Sequence, residues 1–158
     1  YQKNEIIKLI TSNIELLKKL DTSITIDFKS NNLKELEIHC DAEQISRVIL
    51  NLIKNSIESI QEKASKSLDF DKKITIDLTK LNNYILLTIR DTGIGFSNND
   101  KNNLIKPYYT TKKNGSGLGL SIVNKIINDH NGKLDFISKK IGAKIELTLP
   151  LSLNNNVN

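Results

Sequence analysis

Gly115-Ser116-Gly117-Leu118-Gly119-Leu120-Ser121-Ile122-Val123 is a glycine-rich run that leads directly into an amphipathic segment ending near His130 and Asn131-Gly132. Glycine-rich backbone entering a helix start presents free N–H groups and the positive end of the helix dipole, which is an anion site. Two familiar phosphate-binding architectures are excluded by what surrounds it. No strand feeds the loop, as a dinucleotide βαβ unit requires, and the Gly-Lys-Ser/Thr of a P-loop is missing. Residues 96–115 precede it, polar, rich in Asn and Lys and containing Pro107. A connection of that length in a compact domain is a candidate lid.

Outward from this junction the hydrophobic pattern supplies the other elements. Residues 5–20 carry Ile6, Ile7, Leu9, Ile10, Ile14, Leu16, Leu17 and Leu20 at near-helical spacing,. Residues 23–28 and 35–40 alternate, with Ile24, Ile26, Phe28 and Leu36, Ile38, Cys40 facing inward,. Asp41 stands at an N-cap position before a long helix through Ile45, Val48, Ile49, Leu52, Ile53, Ile57 and Ile60,. Residues 73–80 and 84–90 read as a hairpin linked by Leu81, Asn82 and Asn83, and residues 133–138 and 143–149 as a terminal one,. Strands in adjacent pairs rather than strict β-α-β alternation predict an α+β sandwich: a mixed β-sheet covered on one face by about three helices. Residues 1–153 read as a single domain, and 154–158 as a polar tail without need of structure,.

Composition narrows the function classes. The 158 residues are 38% hydrophobic and 26% charged, the balance of one globular domain,. The net charge of +5 comes almost wholly from Lys; Arg47 and Arg90 are the two arginines, and aromatics are 5%. Base readout favours Arg and stacking platforms, so no nucleic-acid partner is expected. Cys40 is the lone cysteine, which rules out an internal disulfide or a cysteine zinc cluster,. There is no apolar run of the ~20 residues needed to span a bilayer, so no direct membrane contact by this domain is expected.

Three clusters carry chemistry. Asn51 and Asn55 share a helix face beside Leu52 and Ile53,. A carboxamide oxygen can ligate Mg²⁺, although both could equally be solvent-facing residues in an Asn-rich chain. Asp91-Thr92-Gly93-Ile94-Gly95 closes a strand. Its carboxylate can accept from an exocyclic amine, and its glycines permit close approach to a planar base; alone it is also an ordinary strand-ending turn. The third cluster is the glycine-rich helix start, which alone could be a flexible hinge.

In this order the clusters resemble the N, G1, F and G2 boxes of the catalytic and ATP-binding domain of sensor histidine kinases, within the ATPase superfamily that includes gyrase and MutL. The resemblance spans about residues 5–151. The N box reads Asn51-Leu52-Ile53-Lys54-Asn55-Ser56-Ile57-Glu58, G1 reads Asp91-Thr92-Gly93-Ile94-Gly95-Phe96, and the F box reads Pro107-Tyr108-Tyr109-Thr110-Thr111-Lys112. Residues 107–123, with Asp129-His130-Asn131-Gly132 and the closing Gly142-Ala143, are especially similar to nitrogen-regulation sensor kinases of the NtrY and NtrB type. The resemblance implies that Asn55 holds Mg²⁺ with Asn51 beside it, and that Asp91 accepts from the adenine amino group while Gly93 and Gly95 shape the base pocket. It implies an ATP lid over residues 96–114, with Thr110, Thr111 and Lys112 at the nucleotide, Lys112 bringing positive charge to the phosphates. Gly115, Ser116, Gly117, Leu118, Gly119 and Leu120 then fold over the triphosphate.

The resemblance also bears on the reaction. Hydrolysing relatives carry a Glu four residues before the metal-binding Asn; here Asn51 stands there and cannot take a proton,. The reading is therefore a kinase, with Asn51, Asn55 and Lys112 as its catalytic set. A hydrolysing member of the superfamily and a degenerate nucleotide-binding or partner-docking module are the alternatives. Where many sensor kinases have a basic residue three positions after the metal-binding Asn, this chain has Glu58, which leaves phosphate charge to Lys112, Lys54 or Arg47. Neither His39 nor His130 has the sequence context of a phosphoacceptor, and a His in a last helical turn suits the dipole. The expected partners are a phosphoacceptor and dimerisation domain of the same parent and a cognate response regulator. The expected setting is the cytoplasmic side of a membrane-bound bacterial sensor kinase.

Overall fold

A computed structural model of the chain describes residues 1–66, 69–113 and 115–152. The expected tail at 154–158 and Asn114 of the lid lie outside the described residues. The elements are β1 (Gln2–Glu5), α1 (Ile6–Leu17), β2 (Thr25–Lys29), β3 (Glu37–Cys40), α2 (Ala42–Lys66), β4 (Lys73–Leu81), β5 (Tyr84–Asp91), α3 (Gly119–Asp129), β6 (Lys133–Ser138) and β7 (Ala143–Pro150).

Strands β2, β4, β5, β7 and β6 form one sheet in that spatial order. β2 joins β4 in parallel, and the other neighbours are antiparallel, so the sheet is mixed as expected. Along β4, Ile74, Ile76 and Leu78 are fully buried while Thr75, Asp77 and Thr79 are not; along β7, Ala143, Ile145, Leu147 and Leu149 alternate in the same way. A period of two with one buried set means one covered face. The opposite face carries the ion pairs Arg90–Asp77 and Lys144–Glu146. The β4–β5 link is two residues, with Asn82 left-handed at φ 43°, a conformation Asn tolerates,.

Helix α2 is the spine of the covering layer. Its buried seam is Ile45, Val48, Ile49, Leu52, Ile53, Ser56, Ile57 and Ile60, three- and four-residue steps that keep one stripe against the sheet,. The Asp41 carboxylate accepts from the Gln44 N–H at 3.0 Å, the N-cap its position predicts,. The Asp41 N–H in turn donates to His130 Nε2 at 3.1 Å, and His130 Nδ1 donates to the Ile126 carbonyl at 2.8 Å. His130 is thus a buried strut between the end of α3 and the start of α2, in agreement with its reading as structural.

Two expectations at the N-terminal end are corrected. The first helix begins at Ile6 rather than Glu5, because residues 2–5 pair antiparallel with β3 as a separate two-stranded sheet. Glu5 closes that strand and caps α1, its carboxylate accepting from the N–H groups of Ile7, Lys8 and Leu36. Leu16 and Leu20, counted on the apolar face, are exposed, and the seam runs through Ile6, Ile10, Asn13, Ile14 and Leu17 instead. Asn13 enters it by returning its amide to the Leu9 carbonyl at 2.7 Å.

Candidate functional site

A cavity of about 420 Å³ opens between the middle of α2, the C-terminal end of β5, the 96–117 segment and the start of α3. Its walls include Asn51, Asn55, Asp91, Gly95, Thr110, Thr111, Lys112, Gly115, Ser116, Gly117, Gly119 and Leu120. The fold therefore brings the three sequence clusters to one place. Gly93 and Leu118 are absent from the lining. Gly93 is packed so tightly on α2 that an added Cβ would lie 2.7 Å from the Ser59 carbonyl carbon and 2.8 Å from the Ile60 nitrogen, and Leu118 is the residue immediately before α3.

Asp91 forms the floor. It is 7% exposed, and its Oδ1 accepts from the Gly93 N–H at 2.9 Å. Burial pushes its carboxyl above the usual carboxylate range, against the opposing pull of the Gly93 N–H, the Ser56 hydroxyl, the Ala143 N–H and the Lys63 ammonium,. Lys63 itself donates to the Thr92 carbonyl at 2.8 Å and lies over the Phe70 ring. Beside Asp91 on the cavity wall, the Ser56 hydroxyl is 2% exposed and lies near enough to the Asp91 carboxylate to pull on it, without a well-aligned hydrogen bond. Apolar walls come from Ile94, Phe96, Leu104, Phe136 and Ile145, with Phe96 and Phe136 edge to face at 5.9 Å. A planar group fits between such walls with its polar edge on Asp91.

The opposite end is polar. The Lys112 ammonium reaches from the lid to α2, donating to Asn55 Oδ1 at 3.1 Å and pairing with the Glu58 carboxylate. Asn51 behaves differently from its partner amide: its Nδ2 is returned to the Arg47 carbonyl at 2.9 Å, and its Oδ1 faces Gly119. The start of α3 has no side-chain cap and no acidic residue in its first turn, so its N–H groups remain available for an anion,.

Tyr108 and Gly117 hold the lid against the glycine loop. Both are left-handed, at φ 65° and 70°, and a Cβ on Gly117 would lie 2.7 Å from the Cα and carbonyl oxygen of Tyr108. Gly119 has only the movable Asn51 Oδ1 nearby, at 3.1 Å, and no positive φ. The two glycines are therefore not equivalent. Gly117→Ala is expected to cost about 1–3 kcal/mol of local strain and, for the ATP that the sequence resemblance implies, to weaken binding at least about tenfold with adenosine binding kept, whereas Gly119→Ala is expected to stay within about threefold of wild type. Calorimetric titration of both ligands into both variants checks this.

Sequence reasoning did not anticipate Ser56, Ser59 or the depth at which Gly142 is used. Ser56 lies in the helical seam between Ile53 and Ile57, a signal that was available. Ser59 Oγ accepts from the Ile94 N–H at 3.1 Å, tying G1 to α2.

Comparison with known proteins follows the same outline. Residues 40–153 match the family described as histidine kinase-, DNA gyrase B-, and HSP90-like ATPase. A Rickettsia conorii protein named sensor histidine kinase NtrY-like is 33% identical over 96% of this chain, and the chain spans 24% of that protein's length. The solved catalytic domain of histidine kinase ThkA, in a nucleotide-free form, superposes with a TM-score of 0.83 at 26% identity, covering 96% of this chain and 95% of that one. ThkA solved in complex with response regulator protein TrrA gives a TM-score of 0.78 at 25% identity over 95% of this chain and 41% of that one.

Proposed function

The chain belongs to the histidine kinase-, DNA gyrase B-, and HSP90-like ATPase family, and from that premise we propose that it is the ATP-binding catalytic part of a two-component sensor histidine kinase of the NtrY-like kind. It binds Mg·ATP and donates the γ-phosphoryl to a histidine on a phosphoacceptor domain. The observation that carries the reading is the buried Asp91 carboxylate on the wall of an apolar-sided cavity whose opposite end holds Asn55, Lys112 and the glycine loop.

The residues present suit both groups. Asp91 accepts from the adenine amino group, Gly95 leaves room at the base, and guanine is rejected because its carbonyl would oppose the carboxylate. Thr110, Thr111, Gly115, Ser116, Gly117, Gly119 and Leu120 surround the phosphates, with the N–H groups at the start of α3 directed to their charge,. For Mg²⁺, the fit is tested by Lys112, whose ammonium already rests on Asn55 Oδ1; an oxygen that accepts one cation there suits another. Asn55 would hold Mg²⁺, which would supply neutralisation of the phosphate charge. Asn51, in the place of a water-activating carboxylate, leaves the site without a base for hydrolysis, so the chain holds the phosphoryl group for an external nucleophile.

No helix among the described residues is long and apolar enough to cross a membrane; a membrane-bound parent with this part on its cytoplasmic side is the setting we propose, with a response regulator receiving the phosphoryl group. The test is to incubate the chain with Mg·ATP labelled at the γ-phosphate and a phosphoacceptor hairpin from an NtrY-like kinase. Label is expected on the hairpin histidine, as an acid-labile, alkali-stable adduct, and Asn55→Ala is expected to lower the rate about a hundredfold or more. Release of inorganic phosphate indifferent to the hairpin would overturn the kinase reading in favour of a hydrolase.

A further inference from the structure

Glu58 stands three residues after Asn55, and both side chains share one face of α2 at the mouth of the cavity,. A carboxylate there is at odds with a bound triphosphate, because like charges that close repel unless a cation lies between them. The Lys112 ammonium supplies that cation in the ligand-free chain, held jointly by Asn55 Oδ1 and the Glu58 carboxylate. Two oxygens that converge on one ammonium converge on one point of positive charge. A carboxamide oxygen and a carboxylate oxygen are hard donors, and Mg²⁺ or Mn²⁺ commonly takes one or two carboxylates, leaving its other positions to phosphates and water.

We infer that Glu58 is a second protein group of the divalent-cation site, beside Asn55, and that the Lys112 ammonium stands in for that cation until nucleotide arrives. The inference rests on the reading of the cavity as a Mg·ATP site. Lysine is suited to the exchange: it is a point charge on a flexible stem, able to leave one carboxylate and meet a phosphate without a fixed fork geometry. Displacing it from Glu58 frees the lid segment that carries it and delivers its charge to the phosphates, so cation arrival and lid release become one event. The residue that departs from the usual basic pattern thereby acquires a role, with Lys112 carrying the charge the pattern would otherwise place on α2.

The experiment uses the chain as it stands and two probes. With Mn²⁺ alone, read by the loss of its free EPR signal, Lys112→Met is expected to bind about tenfold tighter than wild type, since the competing ammonium is gone and ligand charge sets affinity. Adding Glu58→Gln to that variant is expected to abolish the gain. With ATP, read by calorimetry over a Mg²⁺ series, Glu58→Gln in the Lys112→Met background is expected to raise the Mg²⁺ concentration for half-maximal ATP affinity about tenfold. Equal Mn²⁺ affinities for Lys112→Met with and without Glu58→Gln, or an unmoved Mg²⁺ midpoint, would overturn the inference and leave the pair as a lid contact. Failure of the wild-type chain to bind ATP at any Mg²⁺ concentration is a different result, and it overturns the nucleotide reading itself.

Discussion

Asp91→Asn is expected to weaken ATP binding about a hundredfold while leaving the ligand-free chain at least as stable as wild type. Asp91 Oδ1 accepts from the Gly93 N–H at 2.9 Å and the carboxylate also feels the Ser56 hydroxyl and the Ala143 N–H, which leaves one of its roughly four lone-pair directions for a ligand amine,. An asparagine keeps the Gly93 bond by placing its own oxygen there, which turns its NH₂ to the cavity. Donor then faces donor when adenine enters. A hydrogen bond to a charged group contributes roughly 1.5–3 kcal/mol, and losing it against a mismatched donor accounts for the hundredfold. Thermal-shift titration reads both halves at once, because ATP at about 100 times its Kd stabilises the wild type by about 2.7 kcal/mol and Asp91→Asn forfeits most of that at the same concentration.

The stability half follows from the direction of the Asp91 pKa. Burial holds it above its unfolded value. Below the unfolded pKa of about 3.9 the neutral carboxyl is buried at no ionic cost. As pH rises through the raised folded value, that relative stability is lost, because the folded chain must then hold a desolvated charge. At neutral pH the Asn variant avoids the cost, so its ligand-free melting temperature should equal or exceed that of wild type. Binding has the opposite sign, because in the proposed site it is the ionised form that accepts from adenine: affinity for adenosine should fall as pH drops through the raised value, sooner than an exposed aspartate would titrate. Site and stability are opposed at this residue, as is common where function requires a buried charge.

The elements most legible in the sequence were those whose burial follows a local period. The α2 seam, the alternation of β4 and β7 and the Asp41 cap are all set by residues within a few positions of one another. β1 was not legible, because Gln2, Lys3, Asn4 and Glu5 have no apolar alternation and become a strand only through β3, more than thirty residues away. The parallel pairing of β2 with β4 is likewise a long-range choice, since β3 and α2 intervene and neither strand's own pattern names its neighbour. At the site, the spacing of Asn51 and Asn55 placed both on one helix face, yet only the folded chain distinguishes them. One amide folds back on Arg47 and the other holds Lys112. Ser56 escaped notice because a serine in a helical seam reads as a tolerated small residue until the cavity beside it is seen.

The second large effect is expected at Gly142, in the turn between β6 and β7. Its φ is 67°, and a Cβ there would overlap the Asp91 carbonyl oxygen and lie 2.6 Å from the Asp91 carbonyl carbon and 3.1 Å from Thr92 Cα. The obstacle is backbone on the neighbouring strand, which cannot swing aside as a side chain can. Gly142→Ala therefore combines left-handed strain of about 1–3 kcal/mol with a forced separation of the β7 and β5 ends. The neighbouring Ala143 N–H belongs to the group that steadies the Asp91 carboxylate, and Gly142 O lies against Gly95, so separation there disturbs the G1 segment from below. The expected result is a loss of about 3 kcal/mol or more of stability, read by urea unfolding, together with loss of adenosine as well as ATP binding. That pattern differs from Gly117→Ala, which spares adenosine because it disturbs only the phosphate end. A Gly142→Ala chain that melts like wild type and binds adenosine normally would mean that the turn and the base pocket are not joined as their contacts indicate.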